Sequence, residues 1–83
     1  MKVTVKYFAS IREAIGVASE QRDTQAPTLG ALRDELITKG GAYADSLARG
    51  KAVRLALNQV MCHESAVLVE SAEVAFFPPV TGG

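Results

Sequence analysis

The group in this 83-residue chain best placed to react is the α-carboxylate that closes Phe76-Phe77-Pro78-Pro79-Val80-Thr81-Gly82-Gly83. Pro78 and Pro79 lack amide hydrogens and hold φ at about −65°, so they end a ladder of hydrogen bonds and launch an extended segment. Gly82 and Gly83 have no Cβ, which lets the last peptide units thread a channel too narrow for other residues. Six residues from Pro78 at ~3.3 Å each reach roughly 20 Å, enough to enter a partner's buried site. Disordered tails are polar and charged, whereas this one carries Phe76, Phe77 and Val80 and no charge after Glu73. The expected reactive residue is Gly83. Phe77, Pro78, Pro79, Val80, Thr81 and Gly82 form the segment that a partner would hold.

Other candidates are weaker. Cys62 and His63 are the chain's only thiol and imidazole, and their adjacency invites a nucleophile-and-base reading. Neighbours on a strand point to opposite faces, so they do not meet as a dyad. Cys62 is expected to be a small, partly buried residue and His63 a surface turn residue. Zinc needs three or four ligands, and with no second Cys or His no metal site is expected. The carboxylates are scattered, with Asp34 and Glu35 expected on the solvated side of a helix. The seven glycines never form a phosphate-cradling run, so the chain should bind no cofactor by itself and no ATP unaided.

Composition narrows the class further. A lone cysteine excludes an internal disulfide framework and points to a reducing compartment. The formal net charge of zero offers no attraction to nucleic acid or to a membrane. Arg12 and Glu13 interrupt the apolar stretch that a signal peptide would need after Lys2 and Lys6, and no apolar run approaches a membrane span. A soluble cytoplasmic protein is expected.

The elements that must position the tail follow from patterning. An apolar share of 48% in 83 residues supports one core and two layers. The expected organisation is one α+β domain over residues 1–77 and an extended tail over 78–83. Val3, Val5 and Tyr7 alternate with Lys2, Thr4 and Lys6 as in a half-buried strand. Ser10 and Glu13 are spaced as a capping box for a short helix that Gly16 stops. Glu20, Arg22 and Asp23 suit a charged edge strand within 17–24. Thr28 is the expected N-cap of the main helix, whose stripe is Leu29, Leu32, Leu36 and Ile37 and whose end is Gly40-Gly41. Gly30, inside that helix, implies a first-turn position or a close packing contact. Residues 42–50 read as a surface connection, with Tyr43 and Leu47 spaced for one helical turn. Val53, Leu55 and Leu57 mark a strand, and Asn58-Gln59 a two-residue turn into Val60-Met61-Cys62. Val67, Leu68 and Val69 are expected core contributors, and Glu73–Phe77 is the final strand.

The chain resembles the small subunits of molybdopterin synthase, sulfur-carrier proteins with a ubiquitin-like β-grasp fold. The resemblance runs over the whole length. It is carried by Val5-Lys6-Tyr7-Phe8-Ala9 with Arg12-Glu13 and Gly16, by the Leu29/Leu32/Leu36 helix, by Ala56-Leu57-Asn58, and most specifically by Glu73–Val80 with Gly82-Gly83. It implies a mixed sheet of four to five strands packed on one main helix, with a short extra helix after strand 1 and the first and last strands as parallel central neighbours.

The implied chemistry falls on Gly83. A ubiquitin-activating-like adenylyltransferase would use ATP to adenylate its carboxylate, and a sulfurtransferase would supply the sulfur that turns it into a thiocarboxylate. The large catalytic subunit, in a heterotetramer of two small and two large subunits, would use that sulfur to build the dithiolene of molybdopterin. Two departures are visible: many relatives have Gly in the turn before the last strand, where this chain has Ser71-Ala72, and Thr81 stands where a smaller residue is usual, which bears on fit in the partner's channel. The alternatives are a sulfur carrier of the thiazole pathway, a ubiquitin-like modifier that forms isopeptide bonds, and an interaction domain with an inert end.

Overall fold

The alternation at the start of the chain becomes β1 (Lys2–Tyr7), whose Val3, Val5 and Tyr7 are buried while Lys2 faces water. This computed structural model describes residues 1–79 of the protein. After β1 come α1 (Ala9–Ile15), β2 (Ser19–Asp23), α2 (Leu29–Ile37), α3 (Gly41–Leu47), β3 (Arg54–Leu57), β4 (Val60–Cys62) and β5 (Glu73–Phe77). The strands form one mixed sheet in the order β2-β1-β5-β3-β4. Among the described residues, only the β1–β5 pair at its centre is parallel. The result is the expected α+β, ubiquitin-like β-grasp architecture, with the upper strand count.

One core joins the layers. Leu29, Leu32 and Leu36 of α2 are sealed against Val3, Val5 and Tyr7 of β1, Leu55 of β3, and Val74 and Phe76 of β5. Thr28 caps α2 as expected, its hydroxyl accepting from the Ala31 amide at 3.2 Å. Gly30 sits in the first turn, where an added Cβ would lie 3.0 Å from Glu64 Cβ, so the close contact accounts for the glycine. Asn58 and Gln59 have φ of 49° and 69°, the left-handed pair that a tight hairpin turn between twisted strands requires.

Four local expectations are corrected. Ser10 and Glu13 form no capping box: α1 begins at Ala9 with Phe8 as its N-cap, and no side chain caps it. The reason is long-range, because the Phe8 amide donates to Phe76 at 3.2 Å while the Phe8 carbonyl accepts from Ile11 and Arg12. Second, α2 ends at Ile37 rather than at the glycine pair, and Gly40 instead opens α3 with φ of 75°. Third, residues 42–50 are not merely a surface connection, because α3 buries Leu47 completely. Fourth, of the trio Val67, Leu68 and Val69 only Leu68 is buried. That segment is held by backbone bonds to the start of α2, from Leu29 to Ala66 and from Leu68 to Pro27, rather than by a sheet face.

Candidate functional site

Strand β5 lies between β1 and β3, so the backbone entering Pro78 is held on both sides. Its alternation divides two aromatic residues with different duties. Phe76 points into the core and is fully buried. Phe77 points to the outer face, where its ring stacks on that of Phe8, centroids 4.5 Å apart and planes 11° from parallel. The position of Phe8 is fixed by its own backbone bond to Phe76, so the turn into α1 and the end of β5 are locked together where the tail begins.

Apolar surface surrounds this root on two sides. On the outer face a groove is walled by Phe8 and Ala9, by Arg54 and Met61, and by Phe77-Pro78-Pro79. Met61 is half exposed there, and Ala56 and Ala75 form a small-residue floor between Met61 and Phe77 in the strand register. On the other side Pro78 and Pro79 face a second depression lined by Ile11 and Ala14 of α1, with Asp45, Ser46, Lys51 and Val53. Phe77 and Pro78 are half-buried and Pro79 is exposed. The structure thus brings Phe77, Pro78 and Pro79 together as one apolar projection. Val80, Thr81, Gly82 and Gly83 lie outside the described residues.

Two polar networks that the sequence did not disclose hold this scaffold. In the first, Glu20 of β2 accepts the phenol hydrogens of Tyr7 and Tyr43 on the same oxygen, both at 2.7 Å. Lys39 approaches the other Glu20 oxygen at 3.8 Å and lies 4.1 Å from the Tyr43 ring centroid. The Tyr7 ring stacks on Phe76 and meets Tyr43 edge-on, which ties the charged edge strand to the core behind the tail. Burial alone would raise the Glu20 carboxyl, but the two phenol hydrogens and the Lys39 charge outweigh it and hold it below its usual range. Burial, and then the bond to Glu20, push the Tyr7 phenol well above its usual value.

The second network centres on Arg33, 3% exposed in α2. Its guanidinium donates to the carbonyls of Leu47, Ala48 and Lys51 at 2.7, 2.7 and 3.0 Å and to Glu64 at 2.9 Å. Arg49 reaches the same carboxylate and also Asp34. The loop that carries Lys51 and Val53 against Pro78-Pro79 is therefore held from inside by a buried cation. Of the two carboxylates expected on the solvated side of α2, Asp34 is exposed. Glu35 is half-buried instead, bonded to Arg22 and Thr24.

Cys62 is half-buried opposite Leu55 and packs on the core, while His63 is exposed. Burial pushes the Cys62 thiol upward, against an opposing backbone contact from Leu57, so no thiolate is favoured there. Both residues thus lie where the sequence placed them, Cys62 partly buried and His63 at the surface.

The chain matches the family described as the ThiS family over residues 5–83. It is 40% identical over 81 residues to the molybdopterin synthase sulfur carrier subunit of Haemophilus influenzae, covering 98% of this chain and 99% of that protein. The small archaeal modifier protein 1 of H. volcanii superposes with a TM-score of 0.78 at 21% identity, covering 95% of this chain and 98% of the other. A chain of the complex of subunits 1 and 2 of the molybdopterin-converting factor from Helicobacter pylori superposes with a TM-score of 0.69 at 24% identity, over 100% of both chains. The superpositions match the β-grasp sheet end to end, and the family model together with the 40% identical relative place the chain in the ThiS family, among homologues named molybdopterin synthase sulfur carrier subunit.

Proposed function

We propose that this protein carries sulfur on the α-carboxylate of Gly83 and delivers it as the small subunit of molybdopterin synthase. The observation that carries the reading is the tail root: Phe77-Pro78-Pro79 leaves the central strand as an apolar projection locked to Phe8. The naming of the homologues supports it. A carboxylate resists nucleophiles because of its charge. Transfer of AMP from ATP, with release of pyrophosphate, makes it a mixed anhydride, and attack by a sulfur nucleophile then expels AMP. The first step belongs to a ubiquitin-activating-like adenylyltransferase and the sulfur comes from a sulfurtransferase, both in the cytoplasm. The chain's own part is to present Gly83 at the end of a segment that partners can thread.

The large subunit takes up Phe77, Pro78, Pro79, Val80, Thr81 and Gly82, in an assembly of two small and two large subunits. The relative from H. pylori is described in complex with a second subunit, which supports a partner of this kind.

Intact-mass measurement after incubation with the adenylyltransferase, ATP and a sulfurtransferase tests the reading. The expected gain is the difference between sulfur and oxygen, absent from a chain lacking Gly83 and retained by Cys62→Ala. No gain on the full chain, or a gain that survives deletion of Gly83, refutes the proposal. Adducts to lysines of other proteins would replace it with the modifier function.

A further inference from the structure

Arg54 opens β3 on the outer face of the sheet, with Phe77 as its Cα partner across the β3–β5 ladder. It therefore stands inside the apolar groove at the tail root, between Met61 and Phe77, and also borders the adjoining depression of Val53, Met61, Cys62 and His63. It is exposed, and among the described residues it pairs with no carboxylate. Glu64 is the carboxylate that shares the depression, but both its oxygens are engaged by Arg33 and Arg49. Arg22, Arg33 and Arg49 all have carboxylate partners. Arg54 is thus an open cation set in the apolar surface flanking the tail.

A partner that covers this groove removes water from the Arg54 guanidinium. An apolar surface there would strand a desolvated charge, whereas a carboxylate would receive it in the planar, two-pronged geometry that suits arginine. The same residue therefore rewards one class of partner and penalises another.

We propose that Arg54 determines specificity in docking, and that the surface seating Phe8, Met61 and Phe77 bears a carboxylate against it. This rests on the function proposed above and adds to it the chemistry of the partner's contact surface.

Affinity for the large molybdopterin synthase subunit encoded in the same genome, measured by calorimetry at about 50 mM and about 500 mM NaCl, tests the inference. Arg54→Leu keeps apolar area in the groove and removes the charge. It is expected to weaken binding about tenfold at the lower salt, and Arg54→Glu by about a hundredfold. High salt is expected to narrow the gap to Arg54→Leu only in part, because a pair covered by the partner is screened less than an exposed one, with melting temperatures unchanged because the side chain is exposed in the free protein. Equal or tighter binding by Arg54→Leu at both salts, while Phe77→Asp abolishes it, overturns the inference and leaves the function standing. Absence of binding by the wild type overturns both.

Discussion

Replacing Arg33 by Met removes four donated hydrogen bonds from a side chain that is 3% exposed, while methionine fills most of its volume. The substitution therefore isolates the loss of donors from the opening of a cavity. Three loop carbonyls lose their buried partner and Glu64 loses its buried cation. Leaving those three enclosed carbonyls without a donor costs about 3–5 kcal/mol together, while Glu64, 38% exposed and still paired with Arg49, adds little. A domain of this length has roughly 4–12 kcal/mol in total, so the variant should be close to unfolding at 37 °C. Urea denaturation with far-UV circular dichroism provides the measurement, and the melting temperature should fall by about 15 °C or more. Arg49→Met is the control, because Arg49 meets the same Glu64 carboxylate but is 46% exposed. It should cost about 1 kcal/mol at most. If Arg33→Met costs under ~1 kcal/mol, or no more than Arg49→Met, burial is not what gives the arginine its weight and the reasoning fails.

Two further outcomes follow from the geometry. Glu20 sits below its usual 4.5, so its stabilisation is complete above that value and is lost as pH falls through the lower folded value. Tyr7 sits above its usual 10.0, so its stabilisation is complete below that value and declines as pH rises further. Urea midpoints across the pH range should therefore fall at both ends. Tyr7→Phe should lose the alkaline decline that Tyr7 contributes, and an unchanged alkaline limb in that variant would refute the assignment. Ser71 holds φ of 65°, where a side chain costs about 1–2 kcal/mol. Ser71→Gly should raise stability by ~0.5 kcal/mol after glycine's extra unfolded-state entropy is deducted, and a lower urea midpoint would show that the serine makes a compensating contact.

Much of the architecture was legible because it depends on neighbours in sequence. Val3, Val5 and Tyr7 alternate and are buried, Thr28 caps the helix it precedes, and Asn58-Gln59 turns where two apolar runs meet. What escaped depends on distant partners. Arg33 looks like any polar position on a helix until the carbonyls of Leu47, Ala48 and Lys51 fold over it. Ser10 and Glu13 had capping spacing, but Phe8 was already held by Phe76, which moved the start of α1 forward. Val67 and Val69 are apolar in a segment with no period, so hydrophobicity alone misplaced them. At the site, the prolines and Phe77 were visible as a segment without charge. The stacking on Phe8 and the open cation at Arg54 required the register of β5 with its two neighbours.

The parallel pairing of β1 and β5 also determines how the molecule resists being pulled. The chain enters β1 at one end of the sheet and leaves β5 at the other. Tension applied between the amino terminus and the last strand therefore loads all the bonds of that ladder at once, in shear, instead of peeling them away one by one. A pull on the end of β5 would therefore have to break the whole ladder together before it disturbed the body.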